Sequence, residues 1–450
     1  MEINTEIFKN YDIRGIYPRE LNEKTSFYVG WAFVKFLKKK KPKIVIGRDN
    51  RLSSSKLFSS LVKGILSQGA EITDVGLVTT PMLYWACAYY KFDGGMMITA
   101  SHNPPEYNGF KLVREKSIPI SKENGLEDIK KIILRTKKIK QINKGKIIKK
   151  EIIEDYLNFN FKAVNFSVFT PSLKVVIDTA NAVAGVLVPY LKRKLPFKIY
   201  CLFEELNGRF PNHHPDPLIK ENLIYLQKAV KNKKADLGVA FDGDGDRILF
   251  VDEKGENISG DLITTLIAKT ILKKKKREKI LFDIRSSNIV KEIIKKSGGI
   301  PIMGRIGHSL IKEKMRKENI FFAGEFSGHY YHKEHYFCEC PLFILFKMLE
   351  IIFVAKKPIS KIIKPLKKYF HSGEINLKIK DKEKVIKKLE NIFSDGKVSK
   401  IDGLRIDFND WWFLARPSGT ENLLRLVIEA KTKKLMEEKK KEILQYCSLN

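Results

Sequence analysis

The alternation of apolar and polar positions follows one plan three times along the chain. Each copy has a β-branched apolar run that suits a buried strand, then an Asp, then a small polar loop that opens a helical pattern. The copies read PKIVIGRDNRLSS from residue 42, LKVVIDTANAVAG from 173 and EKILFDIRSSNIV from 278. Their lysines Lys43, Lys174 and Lys279 are roughly a domain length apart, which indicates duplicated domains rather than a solenoid.

A second apolar run in each copy also ends in a polar loop. These runs read DGGMMITASHNP from 93, ADLGVAFDGDGDR from 235 and NIFFAGEFSGH from 319. Ligands of open α/β sheets bind outside the carboxyl ends of the strands. We therefore expect a serine loop, an acid loop and a third, mixed loop to meet in one cleft.

The pattern changes after about residue 366 to strand-like runs joined by turns and a final Lys-rich helix, which is typical of a smaller α+β domain. The predicted domains span 1–148, 149–253, 254–366 and 367–450.

The apolar stretch PLFILFKMLEIIFVA begins at 341 and is interrupted by Lys347 and Glu350. It is shorter than the roughly 18 to 20 apolar residues of a membrane span, so we predict a buried helix.

The charge balance raises the question of a nucleic-acid partner, because 84 basic and 52 acidic residues give a net charge of +32. The lysine runs FLKKKKPK and ILKKKKREK lack the arginine and aromatic clusters that read bases. We expect a solvated lysine surface that attracts phosphorylated small molecules, and no nucleic-acid or membrane partner.

Five scattered cysteines argue against a disulfide framework. The acidic N-terminus is unlike a signal peptide, so the predicted location is cytoplasmic.

The acid loop, AFDGDGDRILFVDE from 240, is a candidate metal site. Asp242, Asp244 and Asp246 alternate with glycines, and ligation by oxygen alone favours Mg²⁺ or Ca²⁺ over zinc. An EF-hand would need Gly where Arg247 stands and helices where the flanks are strand-like. A solvated turn would leave three acids together without a counter-ion. We predict a metal site, with Mg²⁺ as the expected ion.

Ser101 stands in the serine loop, TASHNPPEYNG from 99, directly after the apolar run GGMMI. The turn residues that follow would present its hydroxyl at the rim of a strand. A lone loop serine is usually only solvated. An O-phosphoserine held against Mg²⁺, however, is a good phosphoryl donor.

Six motifs, in this order, resemble the α-D-phosphohexomutase family, and in particular its bacterial phosphomannomutase/phosphoglucomutase branch. They are YDIRG at 11, TASHNPPEYNGFK at 99, GRFPNHHPDP at 208, AFDGDGDR at 240, GEFSGH at 324 and RPSGTEN at 416. The resemblance implies an α/β fold with three topologically similar mixed α/β domains and a smaller C-terminal α+β domain around a central cleft. It departs where relatives usually carry an Asp-Asp-Gly run and this chain reads YFCECPLF from 336.

The resemblance also implies a reaction. A phosphoserine at Ser101 would pass its phosphate to a hexose phosphate, of mannose or glucose or both. The resulting hexose 1,6-bisphosphate, both intermediate and activator, would reorient and return its other phosphate to the serine. The net result is interconversion of the 1-phospho and 6-phospho sugars, with Mg²⁺ bound by Asp242, Asp244, Asp246 and the serine phosphate.

The family's site residues carry over by position. The implied catalytic residues are Ser101, Arg14, Lys111 and His329. The implied substrate-binding residues are Glu325, Ser327, Arg247, His308 and Tyr11, and the implied phosphate-binding residues are Arg416, Ser418, Gly419 and Thr420. A guanidinium, hydroxyls and free backbone N–H groups suit a phosphate anion, and a carboxylate beside a hydroxyl suits a sugar diol.

Other functions stay open at this point. A phosphoglucosamine mutase-like enzyme would share these motifs, and a phosphoserine phosphatase-type activity would follow if water reached the phosphoserine. A basic nucleic-acid binder on an inactive mutase scaffold would show steeply salt-sensitive binding. Four domains that bury their own cores suit a monomer.

Overall fold

A computed structural model describes residues 3–136, 139, 145–164, 169–418 and 422–448 of the chain. The strands form four separate sheets, which follow one another along the sequence. Along these described stretches, no helix combines the length and the apolar character that crossing a bilayer would need.

The first unit is a sheet with helices on both faces. Its strands are β1 (Ile13–Ile16), β2 (Lys43–Arg48), β3 (Glu71–Leu77), β4 (Gly94–Ile98), β5 (Tyr107–Arg114) and β6 (Lys146–Lys149). Its helices are α1 (Glu23–Leu37), α2 (Ser54–Leu66), α3 (Thr80–Tyr89) and α4 (Leu126–Arg135). The strand order is β1-β5-β4-β2-β3-β6. Alternation along β2 sends Ile44 and Ile46 to the core under α1 and α2, and Val45 to the opposite face with α3.

The second and third units have five-stranded sheets with a similar plan. The second contains α5 (Ile153–Phe161), β7 (Lys174–Asp178), α6 (Val188–Lys194), β8 (Lys198–Leu202), α7 (Ile224–Lys233), β9 (Leu237–Phe241), β10 (Ile248–Asp252) and β11 (Asn257–Ile258). The third contains α8 (Gly260–Lys274), β12 (Lys279–Asp283), α9 (Asn288–Lys296), β13 (Ile300–Gly304), α10 (His308–Glu318), β14 (Phe322–Gly324), β15 (Tyr330–His332), β16 (Cys338–Glu339), α11 (Pro341–Ala355) and α12 (Ile359–Ile363). The strand orders are β11-β10-β9-β7-β8 and β13-β12-β14-β15-β16.

The repeated plan of the sequence is present in the three sheets. The marker residues Lys43, Lys174 and Lys279 are the first residues of β2, β7 and β12. Each of these strands pairs in parallel with the strand that precedes a polar loop, namely β4, β9 and β14. An antiparallel strand then follows each loop. The three loops therefore occupy equivalent positions in the three sheets, as the internal comparison predicts.

The fourth unit is an antiparallel sheet with two helices. Its elements are β17 (Phe370–His371), β18 (Ile375–Leu377), α13 (Lys382–Ile392), β19 (Lys397–Ser399), β20 (Leu404–Asp407), β21 (Trp411–Pro417), β22 (Leu424–Ala430) and α14 (Lys433–Ser448). The final Lys-rich helix is as predicted, whereas α13 was expected as strands and turns. Asp381 caps the N-terminus of α13. Val385 and Leu389, one turn apart, form the apolar stripe that α13 buries in the core of this unit. The exact domain limits stay a prediction.

One apolar core joins the first three units. Its buried members include Tyr84 of α3, Phe241 of β9, Phe282 of β12 and Leu349 of α11. The predicted buried helix over residues 341–355 is thus confirmed as α11. The fourth unit has its own core and meets the third through a small apolar cluster of Ile284, Trp412, Leu414 and Val427. The first three loops are therefore held on one continuous packed body.

We predict that Gly64→Ala destabilises the first unit. A Cβ on Gly64 would lie 2.0 Å from the carbonyl oxygen of Phe27, where α2 crosses α1. The two helices would have to separate, and overpacking of this kind costs about 1–3 kcal/mol. In thermal melts the variant should lose several degrees in apparent Tm. Ser55→Ala, an exposed change on the same helix, is the control, and equal melting of the two variants would contradict the prediction.

Candidate active site

Ser101 is held in a strained loop directly after β4. Its φ of 49° is in the left-handed region that non-glycine residues seldom adopt. Its backbone N–H donates to Thr99 Oγ1 at 2.9 Å, and its side chain is almost fully buried. The hydroxyl donates to Asp242 Oδ2 at 2.8 Å. The loop of the first unit therefore points its serine at the acid loop of the second.

The three aspartates of the acid loop form one buried cluster between β9 and β10. One carboxylate oxygen from each of Asp242, Asp244 and Asp246 lies within 4.8 Å of the others. Asp242 Oδ1 accepts the backbone N–H groups of Asp246 and Arg247, which folds the turn around that carboxylate. Burial, with the charges of Asp246 and Asp244, raises the pKa of Asp242 well above its usual range.

The donor set of this cluster fits a hard divalent cation. It offers only carboxylate oxygens, which Mg²⁺ prefers. Asp244 Oδ2 accepts from Thr80 Oγ1 at 2.5 Å and from Lys111. Asp244 Oδ1 is buried and has no hydrogen-bond partner among the described residues. A buried carboxylate oxygen without a donor is expected where a cation binds.

Lys111 brings positive charge from the first unit into the acid cluster. It lies on β5 between the core residues Phe110 and Leu112, so alternation sends its side chain to the other face. Its Nζ is 2.6 Å from Asp244 Oδ2 and 2.6 Å from Asp246 Oδ2. Burial alone would lower the pKa of Lys111, but these carboxylates raise it. Burial favours a protonated Asp246, yet Lys111 and His329 hold its pKa well below the usual range.

Arg14 lies beside the serine loop. It is on β1, next to β5 in the sheet. Its Nη1 donates to Asn103 Oδ1 at 2.5 Å, and its Nη2 pairs with Asp12. The Nε atom is buried and has no hydrogen-bond partner in the described part of the chain. Arg14 thus keeps one buried donor for an anion next to Ser101.

The third loop brings His329 to the acid cluster. His329 Nε2 is 3.1 Å from Asp246 Oδ1, and its Nδ1 is 3.2 Å from Ser327 Oγ. Glu325 Oε1 accepts from the buried phenol of Tyr331 at 2.5 Å and lies 3.6 Å from His329 Nδ1. The sequence-predicted Glu325, Ser327 and His329 are therefore adjacent to one another and to the metal-site candidate.

His308, Tyr11 and Arg247 surround the same cleft. The ring of His308 lies 5.6 Å from that of Tyr11 and 6.4 Å from that of His329. Burial, with the charges of Lys312 and Lys111, lowers the pKa of His308 well below its usual range. Arg247 lies between the acid loop and the FPNHHPDP loop, because it is 3.9 Å from Asp242 and 3.7 Å from Asp216.

Glu339, in the YFCECPLF run that departs from the family pattern, forms a buried ion pair. Glu339 is buried and accepts from Lys312 Nζ at 2.8 and 3.1 Å. Its Oε1 is also 3.7 Å from His308 Nδ1. Cys340 is buried and Pro341 is the first residue of α11. The altered run therefore packs below His308 without removing a predicted site residue.

The fourth unit reaches the cleft through Arg416 at the end of β21. Arg416 Nε donates to Asp402 Oδ1 at 2.9 Å, and Asp402 Oδ2 accepts the backbone N–H of Ile306 at 2.9 Å. Burial raises the pKa of the Tyr11 phenol, and the charge of Arg416 opposes that rise. The backbone N–H of Ser418 donates to Leu423. Gly419 and Thr420, also predicted to bind phosphate, lie outside the described residues.

Two residues that contact the site, Thr80 and Arg285, are absent from the sequence-based predictions. Thr80 begins α3 in the first unit, yet its hydroxyl and backbone N–H both bind Asp244 of the second. Arg285 pairs with Asp283 at 2.7 Å and lies 3.8 Å from Glu325 and 3.5 Å from Glu374 of the fourth unit. The repeat FDIRSS, which parallels GRDNRLSS, could have singled out Arg285. Nothing local could have singled out Thr80.

Comparisons with known proteins agree with this fold. Four phosphoglucomutase/phosphomannomutase models match the chain: alpha/beta/alpha domain I over residues 5–140, domain II over 153–255, domain III over 259–369 and the C-terminal domain over 374–445. The chain belongs to the phosphoglucomutase/phosphomannomutase family, which is a family of enzymes.

Individual relatives match over nearly their whole length. A phosphomannomutase of Methanocaldococcus jannaschii is 40% identical over 440 residues, which cover 97% of this chain and 96% of the relative. A phosphomannomutase of Vibrio cholerae is 36% identical over 449 residues, 97% of each chain. The crystal structure of a phosphoglucomutase/phosphomannomutase family protein from Burkholderia thailandensis superposes with a TM-score of 0.90 at 31% identity, covering 99% of this chain and 97% of that one.

We predict that Mg²⁺ stabilises the protein through Asp244. A ligand that binds only the folded state raises stability by about 2.7 kcal/mol at a hundredfold excess over its Kd. Thermal melts should therefore show a higher apparent Tm in millimolar Mg²⁺ than in EDTA, and Asp244→Asn should abolish this difference.

Asp252→Asn is the matched control for this measurement. Asp252 is equally buried, and its Oδ2 likewise has no hydrogen-bond partner within the described ranges, but it lies outside the cluster. The control should keep the Mg²⁺-dependent shift. A shift of the same size in Asp244→Asn and in the wild type would contradict the assignment.

Proposed function

We propose that this protein is a phosphohexomutase that interconverts hexose 1-phosphates and hexose 6-phosphates, with mannose and glucose as candidate sugars. One observation carries the proposal: the buried hydroxyl of Ser101 lies 2.8 Å from Asp242, inside a cluster of carboxylates that Lys111 partly neutralises. The names of the relatives, phosphomannomutase and phosphomannomutase/phosphoglucomutase, support the same reaction.

In this proposal Asp242, Asp244 and Asp246 hold Mg²⁺ together with the phosphate of Ser101. When bound, the cation would offset the negative charge of the phosphoryl group during transfer. The buried Oδ1 of Asp244, which lacks a hydrogen-bond partner among the described residues, supports this role.

The residues of the chain then have separate roles in the transfer. The bond between Ser101 Oγ and phosphorus breaks as a sugar hydroxyl forms the new O–P bond. That hydroxyl gives up its proton, and the freed Ser101 Oγ takes one up. His329 is the proposed acceptor of the proton, because its ring nitrogens are held by Ser327 and Asp246. Arg14 and Lys111 would stabilise charge on the phosphoryl oxygens.

The second half-reaction reverses the first on the other phosphate. The hexose 1,6-bisphosphate turns over in the cleft. The Ser101 hydroxyl then gives up its proton as Oγ takes back the other phosphoryl group, and the freed sugar oxygen gains a proton. Glu325 and Ser327 would bind the sugar hydroxyls in both orientations. Arg416 and Ser418, with Gly419 and Thr420, would hold the phosphate that is not being transferred.

The finer expectations on substrate and setting remain proposals. Preference between mannose and glucose, activity on amino sugars and release of free phosphate are separate outcomes of one assay. Three expectations stay predictions from the sequence: the protein is a monomer, it is cytoplasmic, and it acts on small molecules without a nucleic-acid partner.

The test is a coupled assay with mannose 1-phosphate, glucose 1-phosphate and glucosamine 1-phosphate, each with Mg²⁺ and a trace of glucose 1,6-bisphosphate. The wild type should form 6-phosphates, and Ser101→Ala should lose activity by several orders of magnitude because it has no phosphoryl carrier. Ser117→Ala is the matched control, since Ser117 is also fully buried in the first unit but its hydroxyl donates to the carbonyl oxygen of Tyr84 instead of to the acid loop.

Three results would overturn the proposal. Turnover that survives Ser101→Ala would exclude the serine as carrier. Release of inorganic phosphate without 6-phosphate formation would indicate a phosphatase. No turnover of any sugar, together with steeply salt-dependent binding of nucleic acid, would indicate a binder on an inactive scaffold.

A further inference from the structure

Arg51 binds four backbone carbonyl groups of the serine loop at once. It lies in the turn after β2, and its side chain is fully buried. Its Nη2 donates to the carbonyl oxygens of Ser101 at 2.8 Å and Asn103 at 2.6 Å. Its Nη1 donates to those of Pro104 at 2.5 Å and Tyr107 at 3.1 Å. The guanidinium of Arg51 therefore bridges the serine loop from Ser101 to Tyr107, the first residue of β5.

The sequence of the loop explains why it needs an outside donor. Pro104 and Pro105 have no backbone N–H, so the turn is short of donors of its own. Buried carbonyl groups without a donor are unfavourable. Arg51 supplies these donors from a planar fork that a lysine cannot reproduce.

Arg51 is itself fixed from two sides. Its Nε donates to Asp49 Oδ2 at 3.1 Å, and Ser54 Oγ donates to Asp49 Oδ1 at 2.7 Å. The ring of Phe210, from the FPNHHPDP loop of the second unit, lies 5.1 Å from the guanidinium carbon. The guanidinium therefore has little freedom to leave the loop.

The carbonyl group of Ser101 is constrained on both sides as well. Arg51 binds its oxygen, and a Cβ placed on Gly243 of the acid loop would lie 2.2 Å from the same oxygen. This close approach coincides with the left-handed backbone of Ser101 and with its hydroxyl contact to Asp242. Arg51 and Gly243 together thus fix the peptide that carries the serine hydroxyl.

The third unit has a related Asp-x-Arg turn. Asp283 ends β12 and Arg285 follows it, whereas Asp49 and Arg51 both follow β2, and in both pairs the arginine backbone N–H donates to Oδ1 of the aspartate. Asp283 Oδ2 accepts the N–H of Phe326, in the third loop. An Asp-x-Arg turn therefore holds the neighbouring polar loop in two of the three related units.

We propose that Arg51 is a positioning residue that sets the backbone of the serine loop so that Ser101 Oγ points at Asp242. The effect on rate rests on the proposed phosphoserine mechanism, whereas the effect on the loop does not. Misplacing a reacting group by about 1 Å can reduce a rate by about a hundredfold. A purely structural arginine would change stability and leave the turnover of folded protein unchanged.

The test compares Arg51→Lys with Arg48→Lys in the full-length protein. Arg48 is the matched control, because it ends the same strand, pairs with Asp74 at 2.8 Å and lies over the ring of Phe58, away from the serine loop. Steady-state kinetics with mannose 1-phosphate and glucose 1-phosphate give kcat and KM, and hydrogen exchange reports on the backbone amides of residues 99–109.

In Arg51→Lys we expect kcat to fall by roughly a hundredfold while KM stays within about twofold, since the lost interaction orients the serine rather than binding sugar. The amides of the serine loop should exchange faster in this variant. Arg48→Lys should keep wild-type kcat and wild-type exchange. If Arg51→Lys does not fold, Phe210→Leu, which leaves all charges in place, should still lower kcat about threefold and speed loop exchange.

Several results would overturn the proposal. One is that Arg51→Lys keeps the wild-type kcat and the wild-type hydrogen exchange of the serine loop. Another is that Arg51→Lys and Arg48→Lys lose kcat equally. Where Arg51→Lys does not fold, the proposal fails if Phe210→Leu leaves kcat and loop exchange unchanged. If the wild type itself shows no mutase turnover, the proposed function fails. The loop exchange of Arg51→Lys then still decides whether Arg51 holds the serine loop.

Discussion

Three carboxylates crowded into one buried turn impose the constraint on which the whole site depends. Like charges at this separation repel strongly inside a protein, so Asp242, Asp244 and Asp246 require positive charge close by. Arg247 of the same loop supplies part of it, 3.9 Å from Asp242, and Lys111 brings the rest from the first sheet. His329 Nε2, from the third loop, lies 3.1 Å from Asp246 Oδ1. The contacts of the cluster therefore join three units, and the same packing brings Ser101 to it.

The repeated architecture explains how three loops of different chemistry meet. In each of the first three sheets a parallel pair of central strands is followed by a polar loop and an antiparallel strand. Duplication keeps the position of the loop and leaves its residues free to change. One loop thus carries the serine, one the carboxylates and one the groups suited to a sugar. The fourth unit reaches the same cleft with Arg416 and Asp402.

The sequence predicts those features that have a local signal. The marker lysines locate the central strands, and Ser101 and the three aspartates stand in short motifs with recognisable chemistry. The contacts of Thr80, Tyr331 and Arg51 could not be predicted, because each depends on which distant segment the fold brings against it. Helix α13 was missed because its single apolar stripe is narrow among many lysines. A sequence pattern therefore identifies the reacting groups more readily than the residues that hold them.

The intact mass of the protein after incubation with glucose 1,6-bisphosphate and Mg²⁺ shows most directly whether Ser101 carries the phosphoryl group. We expect the added mass of one phosphoryl group, located on Ser101 by peptide fragmentation. Subsequent addition of mannose 1-phosphate or glucose 1-phosphate should remove it as bisphosphate forms. An active enzyme that never carries phosphate on Ser101, or carries it on another residue, would exclude Ser101 as the phosphoryl carrier.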